Sequence, residues 1–198
     1  MQNEDSIKAL RGLPIRFGTI VPQNGDVRQS LITFVEQLIA YGQRSIDDLY
    51  ATYGRTLVLD AFTHLQDLII AEIADMMINQ GSKKGKMDEP KWGLLRSYML
   101  NLRDQLWRLP MHVIITSLGK TKDGQGGPLG QGTGSGLLAS SCDALGYCDT
   151  EPNGSRIIHF SKYGQNPAGT RFGVQGMHQG PIPNMQLWSA LSPFLGYR

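Results

Sequence analysis

The sequence predicts an α/β fold with a mostly parallel sheet, extended by antiparallel hairpins at the C-terminal end. Two short apolar runs, 56–59 and 111–115, have the composition of strands buried on both faces. Amphipathic segments of helical period lie before, between and after these runs. The last strand-like segments are closely spaced, which favours antiparallel pairing there.

The first half of the chain alternates strand and helix signals. Residues 15–21 are typical of a short strand, and Asn24 or Asp26 can cap a helix that ends near Gly42. Ser45, followed three residues later by an aspartate, resembles a capping box for a second, short helix. A strand, a helix and another strand in this order are typical of the parallel crossover unit.

Two longer helices are expected on either side of a polar, lysine-bearing loop. The first follows Asp60, and its apolar stripe extends to Met76 and Met77, which we expect to fill the core. The second begins at Asp88 and is ended by Pro110, directly before the next apolar run.

The remainder of the chain is rich in turns. Residues 118–136 contain eight glycines and no apolar periodicity, so a long mobile loop is expected there. Segments 144–149, 156–161 and 171–174 are typical of short strands, and 185–195 of a short docking helix.

Composition narrows the classes of protein to which this chain can belong. A chain of 198 residues with 40% hydrophobic content is expected to form a single domain, residues 1–198, with its own core. A formal net charge of +2 neither requires nor excludes a nucleic-acid partner. Cys142 and Cys148 have no second pair, so reduced thiols are expected rather than a zinc site. No apolar run approaches the length of a bilayer span, and a soluble protein is expected.

Polar side chains follow the apolar run 56–59, as in a Walker B strand. The carboxyl ends of parallel strands open at the crevice where ligands bind, so Asp60 can hold the magnesium ion of a nucleotide. Thr63 can orient a water or a phosphate oxygen. The alternative is that Asp60 caps the helix that follows it.

A Walker A loop, Gly-x-x-x-x-Gly-Lys-Ser/Thr, is not found in these 198 residues. The nearest candidate is Gly119-Lys120-Thr121, but Ile114 stands where the first glycine is needed. The segment 81–86 also has the wrong spacing, so we expect a solvated linker there.

Three stretches together resemble a known family. They are 56–65, then 92–93 with 109–116, and finally 132–173. In order and spacing they are similar to the latter two-thirds of RecA-like P-loop ATPases of the compact, AAA-labelled type that includes phage recombination ATPases. The resemblance covers about residues 12–195. It departs from the family in having no room for the P-loop unit ahead of the first strand.

The resemblance implies a three-layer RecA-like core that lacks its N-terminal P-loop unit. It also implies roles for individual residues: Asp60 with ATP and magnesium, and Thr116 as a γ-phosphate sensor, with no metal beyond that of the nucleotide. Arg171, left alone because Gly169 replaces the family's lysine, would reach a neighbouring subunit's nucleotide. The alternatives are that the Thr116 hydroxyl satisfies local backbone groups and that Arg171 is an ordinary surface arginine.

The family's loop after the sensor strand contacts single-stranded DNA. Here that loop contains Lys120 and Lys122, which would contact phosphates; the alternative is a surface loop without a ligand.

The resemblance therefore implies a truncated or degenerate phage ATPase module for recombination or replication, without autonomous hydrolysis, in the host cytoplasm or the virion. We expect a homo-oligomer or a partner chain that brings the P-loop. The alternative function is a non-catalytic phage structural or assembly protein. A further possibility is a P-loop encoded in frame upstream of Met1.

Overall fold

The computed structural model describes residues 26–79, 81–122, 125–128, 134–162, 164, 167–171 and 177–179. The predicted strand at 15–21 and the predicted helix at 185–195 lie outside these residues. The helices of the described part are α1 (Val27–Arg44), α2 (Ile46–Tyr53), α3 (Phe62–Asp75), α4 (Glu89–Arg108) and α5 (Gly134–Ala139). The strands are β1 (Thr56–Leu59), β2 (His112–Ile115), β3 (Gly119–Lys122), β4 (Gln125–Pro128), β5 (Ala144–Leu145), β6 (Tyr147–Thr150), β7 (Arg156–His159), β8 (Gly169–Thr170) and β9 (Met177–Gln179).

Side-chain caps start three of the helices, as the sequence predicts. Asp26 accepts a hydrogen bond from the amide of the third residue of α1 at 2.7 Å. Ser45 accepts from the Asp48 amide at 3.1 Å, and Asp88 accepts from the Lys91 amide at 3.2 Å. These bonds satisfy amides that have no partner inside the helix.

The centre of the described structure is the parallel pair of β1 and β2. Thr56 lies opposite His112, and Leu59 lies opposite Ile115. The chain passes between the two strands through α3 and α4, so β1 and β2 form a parallel crossover unit. The crossover unit that the sequence predicts begins with the strand at 15–21, which lies outside the described residues.

The core lies on one face of this pair, beneath α1, α3 and α4. Leu59 is buried in it, and the alternating neighbours Leu57, Val113 and Ile115 pack against it. Fully buried side chains from the helices complete the cluster: Leu31, Val35, Leu49, Ile69, Ile73, Met99 and Leu102. The prediction that Met77 fills the core is wrong, because α3 ends at Asp75 and the Met77 side chain is 64% exposed.

The later strands of the described part pair antiparallel, as their spacing predicts. β6 pairs with β7, β7 with β9, and β5 with β8. β8 ends at Thr170, directly before the strand expected at 171–174; Arg171 itself is in a bend, and residues 172–174 lie outside the described part.

One segment differs from the sequence prediction of a continuous loop. Within 118–136, β3 and β4 form an antiparallel hairpin in which Gly119 lies opposite Pro128. Glycine contributes no side chain to an alternating pattern, so this pairing leaves no periodic signal in the sequence.

The α/β class is confirmed, whereas the three-layer core stays a prediction. The described residues place helices against one face of the β1–β2 pair. On the other face Val58 and Ile114, which are register partners, are 52% and 50% exposed. No helix of the described part is both long and apolar enough to cross a membrane.

A buried lysine organises the connection between α3 and α4. The Lys91 side chain is fully buried, and its ammonium donates to the carbonyl oxygens of Ala74, Lys83 and Lys86 at 2.6, 2.7 and 2.8 Å. Gly85, in the left-handed region at φ +74°, also donates its amide to Ala74 at 3.0 Å. The backbone of the lysine-bearing segment is thus held by hydrogen bonds, while the side chains of Lys83, Lys84 and Lys86 are exposed, as expected for a solvated linker.

The start of α1 is fastened to the end of α3 by an ion pair. The Glu72 carboxylate accepts from the amides of Val27 and Arg28 at 2.9 and 3.4 Å and from the Arg28 Nε at 2.5 Å. A carboxylate at a helix N-terminus also interacts favourably with the helix dipole. Burial raises the pKa of the adjacent Tyr98 hydroxyl, whose oxygen lies 3.4 Å from the Arg28 carbonyl.

Replacement of Lys91 by methionine tests the buried ammonium. Lys91→Met keeps the apolar stem and removes three hydrogen bonds from the ammonium to carbonyl groups, so we expect a loss of at least about 2 kcal/mol in the free energy of unfolding. Denaturant unfolding measures it. Lys84→Met, at an exposed position of the same loop, is the control and should change stability by less than about 0.5 kcal/mol. Equal losses of stability in Lys91→Met and Lys84→Met would contradict a structural role of the buried ammonium.

Candidate functional site

The register of β1 and β2 brings together two residues that are 56 positions apart in the sequence. Asp60 directly follows β1 and Thr116 directly follows β2, and the Thr116 hydroxyl donates a hydrogen bond to Asp60 Oδ1. The backbone reinforces this contact, because the Thr116 amide donates to Leu59 at 3.1 Å and its carbonyl accepts from Phe62 at 2.8 Å. The parallel register therefore brings the acid and the hydroxyl together at the strand ends.

Asp60 does not cap the helix that follows it. The N-cap of α3 is Ala61, which makes no side-chain capping bond, and the Asp60–Ala61 peptide bond is cis. Both Asp60 and Thr116 are exposed. The carboxylate is thus open to a ligand, and its described side-chain bond is to Thr116.

The Asp60–Thr116 pair lies at the end of the uncovered face of the strand pair. Side chains alternate between faces, so positions 58 and 60, like positions 114 and 116, project to the same side. Val58 and Ile114 are the exposed apolar residues of that side. An acid and a hydroxyl therefore border an apolar surface that the described residues leave open.

Thr63 lies in the first turn of α3, behind the exposed pair. It is 8% exposed, and its hydroxyl oxygen lies 3.1 Å from Ser117 Oγ and 3.1 Å from the amide nitrogen of Leu118, which donates to it. Ser117 Oγ also lies 3.1 Å from the Leu118 carbonyl, to which it can donate. Thr63 is thus joined to the segment that follows β2.

Arg171 contacts a different part of the chain. Its guanidinium donates to the Ser140 carbonyl at 2.9 Å and lies 3.7 Å from the Asp143 carboxylate, and its amide donates to the Asp143 carbonyl at 2.8 Å. Among its described contacts none is with Asp60 or Thr116. The side chain is still 55% exposed, so part of the guanidinium surface is open.

The two cysteines have raised thiol pKa values. Burial, together with Asp143, raises the pKa of Cys142, while Arg171 opposes this rise; burial raises the pKa of Cys148. Both side chains are free thiols in the structure, and their neutral form is favoured. The described residues contain no group of three or more His, Cys, Asp or Glu that could hold a metal ion.

Lys120 and Lys122 occupy alternate positions of β3, and Leu118 immediately precedes this strand. The side chains of Lys120 and Lys122 lie outside the described part of the structure. The hairpin that contains them thus starts three residues after Thr116.

A protein-family model described as an AAA domain matches residues 4–172. The chain belongs to this AAA domain family. Searches among curated proteins and among solved structures found no match. Membership indicates an ATPase-like, nucleotide-binding module. The exposed Asp60 of this AAA domain lies at the end of a parallel strand, which is consistent with such a module.

Sequence reasoning missed the backbone groups of the site and the buried lysine. The Leu118 amide and the Thr116 carbonyl have no sequence signature, because every residue carries such groups. Lys91 had a weak signal. A cation in the first turn of a helix is unfavourable toward the helix dipole, and such a local conflict indicates a specific tertiary role.

Proposed function

We propose that this AAA domain is a RecA-like phage module that binds ATP with magnesium and takes part in recombination or replication on single-stranded DNA. The observation that carries the proposal is the exposed Asp60–Thr116 pair at the carboxyl end of parallel strands. Magnesium prefers oxygen ligands and is usually bound by one or two carboxylates together with phosphates and waters. The exposed carboxylate, with a hydroxyl beside it, fits such a role.

In this proposal Asp60 would hold the magnesium ion of the nucleotide, and this ion would neutralise part of the phosphate charge. Thr116 orients the Asp60 carboxylate through its hydroxyl and is the sensor of the γ-phosphate. The 198 residues contain no Walker A sequence, so the backbone donors and the lysine for the phosphates come from another segment or chain. Hydrolysis by this chain alone is therefore expected to be very slow.

Arg171 has a proposed role in trans, toward the nucleotide of a neighbouring subunit. It would exchange its bonds to Ser140 and Asp143 for contacts with phosphate, to which a guanidinium binds in the same planar geometry.

Replacement of Asp60 tests the nucleotide proposal. Asp60→Asn keeps the side-chain shape but removes the negative charge, so magnesium-dependent binding of a fluorescent ATP analogue should weaken about tenfold or more, whereas metal-free binding should change little. Titration with and without magnesium measures this. Asp67→Asn, at an exposed position of α3, carries the same charge change and should bind as the wild type does. Negligible binding by all three proteins would exclude the nucleotide claim for this chain.

The proposed DNA contact is made by the β3–β4 hairpin. Alternate strand positions share a face, so the two lysine positions of β3 would follow one phosphate backbone. Contacts of this kind depend on salt and not on base sequence.

The double variant Lys120→Gln/Lys122→Gln should lose most of the affinity for oligo-dT at low salt and reduce the slope of log affinity against log salt by about 1.4, which is two phosphate contacts of a single strand. Fluorescence anisotropy over a salt series measures both values. Lys83→Gln/Lys84→Gln removes the same charge from the exposed loop after α3 and is the control. Equal losses in the two double variants would mean that only net charge matters.

A second candidate function is an interaction scaffold, and the uncovered face of the strand pair favours it. Parallel sheets are normally covered on both faces, yet Val58 and Ile114 are about half exposed. In this proposal a second copy of the chain covers that face, and the module assembles without turning over ATP.

The proposed self-association predicts that the apparent mass rises with concentration in light scattering. Val58→Thr/Ile114→Thr keeps β-branched side chains but removes apolar surface, so the mass should stay at that of the monomer. Leu68→Thr, at an exposed apolar position of α3, should associate like the wild type. A wild-type protein that stays monomeric at high concentration would contradict this function.

A further inference from the structure

Three consecutive residues after β2 are joined to Asp60 and to the first turn of α3. Thr116 contacts Asp60 with its hydroxyl and Phe62 with its carbonyl, while Ser117 and Leu118 contact Thr63. The next residue, Gly119, is the first of the hairpin. The candidate site and the base of the hairpin are therefore two ends of one short hydrogen-bonded segment.

The Leu118 end of this segment is held by hydrogen bonding rather than by side-chain packing. The Leu118 side chain is 61% exposed, so it contributes little apolar burial. Its amide, in contrast, donates to the hydroxyl of Thr63, a residue that is only 8% exposed. A hydrogen bond with a buried partner is costly to lose, because the buried oxygen cannot turn to solvent.

The hydroxyl of Thr63 is already engaged in this contact. A threonine hydroxyl has one donor and two acceptor sites, and here it accepts from the Leu118 amide and is bonded to Ser117 Oγ. Its position and low exposure suit it to fixing the protein segment rather than to orienting a water in an open crevice.

We propose that Thr63 is a positioning residue that couples the Asp60–Thr116 pair to the β3–β4 hairpin. A cation bound at Asp60 withdraws charge from the carboxylate and weakens the hydrogen bond that Oδ1 accepts from the Thr116 hydroxyl, so binding changes the contacts of Thr116. Two residues later, the Leu118 amide is hydrogen-bonded to Thr63. Because of this bond, a displacement of Thr116 is transmitted to the hairpin instead of being lost in an unrestrained segment. The ligand part of this inference rests on the proposed function, whereas the coupling itself does not.

A double-mutant cycle tests the coupling without any ligand. Asp60→Asn perturbs the pair, and Thr63→Val removes the hydroxyl at nearly constant volume. Hydrogen–deuterium exchange of the hairpin amides is measured in the wild type, both single variants and the double variant. We expect Asp60→Asn to accelerate this exchange at least fivefold when Thr63 is present and less than twofold in the Thr63→Val background.

Two further proteins separate positioning from a general loss of stability. Thr63→Ser keeps the hydroxyl and should restore the response to Asp60→Asn. Thr33→Val, on α1, makes the same chemical change at a site away from the strand ends and should leave the cycle unchanged. Additive effects of Asp60→Asn and Thr63→Val on the hairpin amides would overturn the proposal, even if Thr63→Val lowered the overall stability.

A ligand arm connects this result to the proposed function. Oligo-dT affinity is measured with and without magnesium and ATP, and the ratio of the two affinities should be at least fivefold in the wild type and Thr63→Ser, but below twofold in Thr63→Val. A ratio of fivefold or more in Thr63→Val would refute the proposal that Thr63 couples the two sites. Absence of ATP and DNA binding in the wild type would refute the proposed function, while the exchange cycle would still decide the role of Thr63.

Discussion

The parallel pairing of β1 with β2 is the constraint on which the rest of the described structure depends. Once Leu59 lies opposite Ile115, the next residue of each strand must meet its counterpart, and Asp60 comes within hydrogen-bond distance of Thr116. The same register sets the two faces. It turns Leu57 and Val113 toward the core, and it leaves Val58 and Ile114 on the opposite side.

The helices hold that pair in place through a few polar contacts as well as through the apolar core. Glu72 ties the start of α1 to the end of α3, and the Lys91 ammonium gathers three carbonyl groups at the junction of α3 and α4. Both contacts lie at helix ends, where backbone groups lack partners inside the helix. They fix the long connection between β1 and β2, and so indirectly the meeting of the strand ends.

This arrangement gives a coherent account of how an AAA domain could use these residues. The exposed acid and hydroxyl are at the strand ends, the buried Thr63 lies behind them, and the hairpin begins three residues after Thr116. Site and hairpin therefore share one segment of chain, which is a short physical route for coupling. Arg171 is held by the turn at 140–143, so its proposed action on a neighbouring subunit requires those bonds to be exchanged.

Local patterns in the sequence determined a large part of this protein. Caps such as Asp26, Ser45 and Asp88, together with helical and strand periodicity, predicted α1 to α4 and the strands β1 and β2, because these signals act over a few neighbouring residues. The β3–β4 hairpin was missed, since glycines leave no side-chain pattern. The tertiary structure alone decided that Lys91 is buried among carbonyl groups and that Thr63 binds the Leu118 amide. Those partners lie far apart in sequence or belong to the backbone, so only the packed chain defines them.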